Sequence, residues 1–381
     1  MTTIYFDHAA ATPLHPAVLE KMMPCLTMHF GNPSSLHAYG RTARAVIDKA
    51  RDSLAKSLNC DGKQLVFTSG GTESNNLAIL GSAIMSGKGK HVITTQVEHY
   101  AVLHSCKQLE EMGYSVTYLP VDSTGLVRIE DLEANIRPDT VLISIIAGNN
   151  EVGTIQPILT LGNFARSRGI LFHVDAVQAF GVLDLDLAAL PVDLMSFSAH
   201  KIQGPKGIGG LYCSPKVRLA PQMLGGSQER MRRAGTENVA GIVGFAEAAR
   251  LVVQNISSKQ NHMQVLRTSM IDLLARQVGT EHFVVNGHPL HCLPHILNLS
   301  FPDVHTETML ISLDLEGIAV ASGSACTSGS LEVSHVLRAM SLPDEITRSA
   351  IRISFGNQNT VEETQYVANV IATIVSRIRT K

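Results

Sequence analysis

Between residues 64 and 214 the chain repeats one pattern. Short runs rich in β-branched and apolar residues follow one another: QLVFTSGG (64–71), HVITTQ (91–96), SVTYLP (115–120), TVLISIIA (140–147), ILFHVDA (170–176), DLMSFSA (193–199) and GGLYCS (209–214). Most are separated by stretches of helical spacing, such as ESNNLAILGSAIMS (73–86), and a longer helical stretch over 35–58 precedes them. Nearly continuous apolar strands that alternate with helices build a largely parallel sheet covered on both faces. In such a sheet ligands bind beyond the C-terminal ends of the strands. The residues just after each run are therefore the ones to search for chemistry.

The pattern changes near residue 236. TENVAGIVGFAEAARLVVQNI (236–256) reads as one long helical stretch with Thr236 as its N-cap. ILNLSF (296–301) and IAVASG (318–323) read as strands, and 361–379 as a closing amphipathic helix. These shifts place a large domain at 14–256 and a smaller α+β domain at 257–381, with residues 1–13 packed on the smaller one. A chain of 381 residues with 45% apolar and 17% charged residues buries a core without disulfide or metal staples. A net charge of −2 gives no footprint for nucleic acid, and no run reads as a membrane span. The N-terminus MTTIYFDHAA lacks the pattern of a secretory signal. Cysteines 25, 60, 106, 213, 292 and 326 form no CxxC pair, which disfavours a zinc site or a disulfide scaffold and points to a reduced, cytoplasmic setting.

Five segments carry possible chemistry. In TSGGTESN (68–75) two glycines and several hydroxyls sit where a strand hands over to a helix, so free N–H groups and the helix dipole suit an anion there. An ordinary capped turn has the same look. No P-loop lysine follows, and GSAIMSGKG (81–89) misses the Walker spacing by one residue. In FHVDAVQAFG (172–181) Asp175 ends a strand, with Gln178 three residues on. That carboxylate suits a protonated heterocycle nitrogen, or else caps a helix. In SFSAHKIQGPKGIGG (196–210) Ser198, His200 and Lys201 precede a glycine-rich turn. A lysine desolvated at the sheet edge becomes nucleophilic enough for a Schiff base, whereas an exposed one does not. GPKGIGG is not G-x-G-x-x-G, so a nicotinamide site is unsupported. In ASGSACTSGS (321–330) Cys326 lies among small polar residues, which give a catalytic thiol exposure and reach. In AIRISFG (350–356) alternation sets Arg352 opposite Ile351 and Ile353, a placement suited to gripping a carboxylate. Each of these signals has a bland alternative when taken alone. A phosphate cradle, an acid for a ring nitrogen and a Schiff-base lysine together describe the needs of pyridoxal 5′-phosphate.

With these residues on the page, the sequence resembles a cysteine desulfurase of the NifS/IscS group, within the fold-type I pyridoxal-phosphate enzymes. The resemblance rests on YFDHAAATP (5–13), FGNPSSLHAYGR (30–41), FTSGGTESNN (67–76), VEH (97–99), NNEVGTIQP (149–157), HVDAVQ (173–178), SAHKIQGPKG (198–207), RRAGTENV (232–239) and SGSACTSGS (322–330). It implies a large domain with a mostly parallel seven-stranded sheet flanked by helices, plus the smaller α+β domain. It also implies that Lys201 carries the cofactor, that His99 stacks on its ring and moves protons, that Asp175 pairs with the ring nitrogen, and that Gln178 bonds the phenolic oxygen. Gly71, Thr72, Ser198 and His200 would hold the phosphate, and Thr236 would reach the phosphate site of a second subunit in a homodimer. Asn150 and Arg352 would bind the carboxylate of L-cysteine, and Cys326 would accept its sulfur as a persulfide. L-Alanine would be the other product, and the sulfur would pass to an iron–sulfur scaffold protein or another acceptor. Selenocysteine lyase activity on the same scaffold is the alternative reading, and an inert sulfur carrier a remoter one. His8 is a local departure at the expected substrate entrance, where many relatives have Asn or Tyr. The sequence stops soon after its last helical stretch, so the longer docking tail of some relatives is not expected.

Overall fold

The computed structural model describes residues 3–302, 304–323 and 333–379. A two-residue strand, β1 (Ile4–Tyr5), opens the chain. Seven strands then build the main sheet: β2 (Leu65–Thr68), β3 (His91–Thr95), β4 (Ser115–Leu119), β5 (Thr140–Ile146), β6 (Leu171–Asp175), β7 (Leu194–Ser198) and β8 (Gly209–Cys213). Their order is β2-β8-β7-β6-β5-β3-β4, and only β8 runs against its neighbours. Every residue of β3, β5, β7 and β8 is buried, as a sheet covered on both faces requires. The fold-type I expectation of seven mostly parallel strands holds, with all seven runs read from the sequence in place.

A three-stranded antiparallel sheet follows, with β10 (Ile296–Ser300) between β9 (Val284–Asn286) and β12 (Ala350–Ser354). The expected strand at 318–323 shrinks to β11 (Ile318–Ala319), which pairs in parallel with β1. The chain then makes a bridge at Ala321 to Arg352. Phe6 is fully buried beside Phe355, with ring centroids 5.3 Å apart, in a core that also holds Leu297, Ile351 and Ile353. Burying a phenylalanine is worth about 1.5–3 kcal/mol, so the first residues are firmly seated on this second core.

Two helices depart from the sequence expectation. Asn238, not Thr236, caps the helix Val239–Gln254; its side chain accepts from the Gly241 N–H at 2.9 Å. That helix ends at Asn255, whose amide donates to the Leu251 carbonyl and competes with the helical ladder. The next helix, Ile256–Gln277, leaves at 73°. Among the described residues no single helix is long and apolar enough to cross a membrane.

Candidate active site

Five short connections converge beyond the C-terminal ends of β2, β3, β5, β6 and β7. Together with β12 and the N-terminal segment they enclose a cavity of about 560 Å³. Its walls include Gly71, Thr72, His99, Asn150, Asp175, Gln178, Ser198, His200, Lys201 and Arg352, ten residues singled out from the sequence. Thr236 lies elsewhere, in a separate surface hollow with Glu229, Arg233 and Glu237. Cys326 falls outside the described residues.

β7 ends at Ser198, and a single tight turn, Ala199–Lys201, aims the lysine inward. Lys201 Nζ donates to the carbonyls of Ala9 at 2.5 Å and Ala10 at 2.9 Å. Burial, with a push from the Arg352 guanidinium, lowers its pKa to about 8, against partial opposition from Asp7 and Asp175. The amine is therefore available as a nucleophile near neutral pH. The N-terminal segment is fixed to the same turn, because Thr12 donates to the His200 carbonyl through its N–H and its hydroxyl.

Asp175 ends β6 with its carboxylate gripped on both oxygens. The Val177 N–H donates to Oδ1 at 3.0 Å and the Asn75 amide to Oδ2 at 2.7 Å. Gln178 donates to the Ala9 carbonyl at 2.8 Å, which leaves its second amide hydrogen for the cavity. His99 caps the helix Tyr100–Glu111, and its Nδ1 accepts from the Ala101 N–H at 3.1 Å. The neutral ring thus carries its proton on Nε2. Burial lowers the pKa of His99, Lys201 adds to the shift, and Asp175 opposes it. Burial also lowers His200 to about 4, and its Nδ1 is buried without a partner.

Arg352 projects from β12 with Nη1 donating to the Asn150 carbonyl at 2.8 Å and Nη2 to Asp7 Oδ1 at 2.9 Å. Ile351 and Ile353, on the opposite face, belong to the smaller core, as strand alternation requires.

Sequence reasoning missed several of these groups. Asp7 and Asn75 lie inside motifs already quoted, but nothing local showed which residues they would meet. Glu98 is fully buried, bonded to the Thr95 hydroxyl and the Ile146 N–H, and burial pushes its pKa up to about 8. His8 does not face the large cavity. It lines a smaller one of about 20 Å³ with Lys259 and His295. Four of the other cysteines are poor thiolates: burial raises Cys25, drives Cys60 and Cys106 up to about 12, and moves Cys213 to about 11.

The family model of the class-V aminotransferases matches residues 4–367 of this chain. Among curated relatives, the cysteine desulfurase IscS of Photorhabdus laumondii is 48% identical over 99% of this chain and 93% of its own length. That of Dictyoglomus turgidum is 46% identical over 99% and 95%. A solved NifS-like protein superposes with a TM-score of 0.93 at 38% identity, covering 99% of this chain and 100% of its own. The chain belongs to the cysteine desulfurase branch of the family, the IscS/NifS group, a group of pyridoxal 5′-phosphate enzymes.

The residues present fit that cofactor. A Cβ on Gly71 would meet Val177 Cγ2 at 2.6 Å, so the helix start lies tight against the Asp175–Gln178 turn. The Thr72 and Ser198 hydroxyls, the helix N-terminus and the unpartnered His200 Nδ1 form a donor set for a phosphate. The anchored Asp175 carboxylate suits a protonated ring nitrogen, and the desolvated Lys201 amine suits an aldehyde.

Proposed function

We propose that the chain is a cysteine desulfurase that converts L-cysteine to L-alanine and passes the sulfur, through a persulfide on Cys326, to an acceptor protein. The observation that carries this reading is the single cavity joining Lys201, Asp175, His99 and Arg352, in a chain whose relatives over its full length bear that name.

Pyridoxal 5′-phosphate, when bound, supplies an electron sink for negative charge developing next to the substrate nitrogen. Lys201 Nζ holds it, Asp175 keeps the ring nitrogen protonated, and Gln178 offers its free amide hydrogen to the phenolic oxygen. Gly71, Thr72, Ser198 and His200 hold the phosphate. Arg352, backed by Asp7, grips the substrate carboxylate beside Asn150. The Lys201 amine would also serve as the base that takes the substrate's α-proton, a task suited to its lowered pKa. His99 carries a proton on Nε2 for donation within the cavity.

The Cys326 thiolate attacks the substrate sulfur, forming an S–S bond as the C–S bond breaks. The electron pair stays with the substrate's β-carbon and becomes a C–H bond on protonation, which gives alanine. Thr236, away from its own chain's cavity, reaches the phosphate site of a second subunit. Exposed Leu19, Met23, Leu26, Phe30, Leu36 and Tyr39 supply apolar area for that homodimer. The sulfur acceptor is an iron–sulfur scaffold or a comparable sulfur-using protein, and the setting is a reducing cytoplasm. The two-domain division at residues 13/14 and 256/257 is part of the same reading.

The test uses two variants of the full chain. Lys201→Ala is expected to purify without borohydride-reducible cofactor, and retention of such cofactor would sink the lysine assignment. Cys326→Ala is expected to bind L-cysteine and change the cofactor spectrum while releasing almost no sulfide. Sulfide release at the parent rate would overturn the persulfide step.

A further inference from the structure

His99 sits between Glu98 and Tyr100, and one side chain reaches both of these neighbours. His335 Nε2 lies 2.9 Å from the Glu98 carbonyl oxygen. The His335 ring also packs on that of Tyr100, with centroids 4.7 Å apart and planes at 42°. A carbonyl only accepts, so His335 carries a proton on Nε2 and donates it. Its other nitrogen, Nδ1, faces Glu151 Oε1 at 4.0 Å.

Glu151 is itself fixed. The Ser334 hydroxyl donates to its Oε2 at 2.5 Å, and its N–H donates to Asn149 Oδ1 at 2.8 Å. Burial raises the pKa of Glu151, while His335 and Arg352 oppose that shift, which marks a carboxyl in electrostatic contact with the imidazole. Ser334 also caps the short helix His335–Ala339 by accepting from the Leu337 N–H, so the backbone that presents His335 is anchored. His99, Tyr100, Glu151 and His335 all line the large cavity.

We propose that His335 is a positioning residue for His99. It pins the backbone before His99 and the ring after it, while Glu151 faces its second nitrogen. This rests on the reading that His99 moves a proton in the desulfurase reaction.

Four titratable groups act on His99 besides burial. Asp175 favours its charged form; Lys201, His335 and His104 disfavour it. Removing the His335 imidazole therefore shifts the His99 titration upward. His335→Gln keeps an amide donor for the Glu98 carbonyl but carries no charge. His335→Ala loses both.

The experiment is an NMR pH titration of ¹⁵N-histidine-labelled protein, read at the His99 ring, together with kcat on L-cysteine. The expected result is a His99 titration displaced to higher pH in both variants. kcat should fall by up to roughly 100-fold in His335→Ala, as for a misplaced catalytic group, and recover substantially in His335→Gln. An unmoved His99 titration, or equal kcat loss in the two variants, overturns the proposal. The titration on His335→Gln decides alone if the alanine variant does not fold. The titration needs no turnover, so its failure is distinct from a failure of the desulfurase reading, which would appear as absent sulfide release from the parent chain.

Discussion

Arg352 enters the cavity with two of its nitrogens already engaged, one by the Asn150 carbonyl and one by Asp7. These contacts fix the plane of the guanidinium before any ligand arrives, so a substrate carboxylate meets a fork whose rotamer entropy is already lost. A lysine at this position presents one compact ammonium instead of a planar fork, so its donors cannot span the Asn150 carbonyl, Asp7 and a ligand carboxylate in this geometry. Arg352→Lys is therefore expected to lose about one charge-assisted hydrogen bond, roughly 1.5–3 kcal/mol. That corresponds to about a 10- to 100-fold rise in KM for L-cysteine, while the absorbance of the bound cofactor stays near that of the parent. Steady-state kinetics with the cofactor spectrum as a control would check this, and an unchanged KM would remove Arg352 from substrate recognition. The arginine's direction was readable in the alternation of AIRISFG. Its partner Asp7 was not, because 345 residues separate the two and only the bridge from Asp7 to Ser354, which lays β12 beside the segment after β1, brings them together.

At the level of elements, the helix Gly71–Ser86 owes its position to the absence of a side chain at its first residue. The Gly71 Cα rests against Val177 in the turn that carries Asp175 and Gln178. Gly71→Ala raises intrinsic helix propensity but forces a methyl to 2.6 Å from Val177 Cγ2, an overpacking of the kind that costs about 1–3 kcal/mol. The relief available is a shift of the helix start away from β6, which spreads the phosphate donors. The variant is expected to fold and to bind pyridoxal 5′-phosphate about tenfold or more weakly. Reconstitution of apoprotein followed by absorbance would measure it, and parent-like affinity would show that the close contact has no part in holding the cofactor. This helix was legible from its apolar spacing, as were the strands of the main sheet, because full burial writes itself as continuous β-branched sequence. The helical pattern around Cys25 was legible too, and it is the helix Pro16–Thr27 with Cys25 buried. The break at Asn255 was not legible. It depends on an asparagine amide turning back on Leu251, a choice that local spacing does not encode.

Across the whole molecule, burial holds several histidines in neutral form, and three of them, His173, His8 and His295, show the effect. His173 spans the main sheet between Ser144 and Ser196, at 2.8 and 3.0 Å. His8 and His295 line the small cavity behind Lys201. Burial is the main cause in each case, and it lowers His173 and His295 to about 3 and His8 to about 4. In the unfolded chain these imidazoles titrate near 6.5. Below that pH the unfolded state takes up protons that the native state refuses, so the contribution to stability is complete above about 6.5 and is lost as pH falls toward 4 and 3. Glu98 works the other way: raised to about 8, it contributes fully below its ordinary value and loses that contribution as pH rises. With six histidines lowered by burial (His8, His91, His99, His173, His200 and His295) against the two raised carboxyls Glu98 and Glu151, the urea midpoint of the protein is expected to fall between pH 6.5 and 4, with each histidine supplying at most about 1.4 kcal/mol per pH unit. His173→Asn removes one of these histidines and retains a polar side chain for Ser144, so its midpoint is expected to start lower and to decline less steeply with acid. A decline as steep as that of the parent would show that the proton refused by the native sheet is not the one on His173.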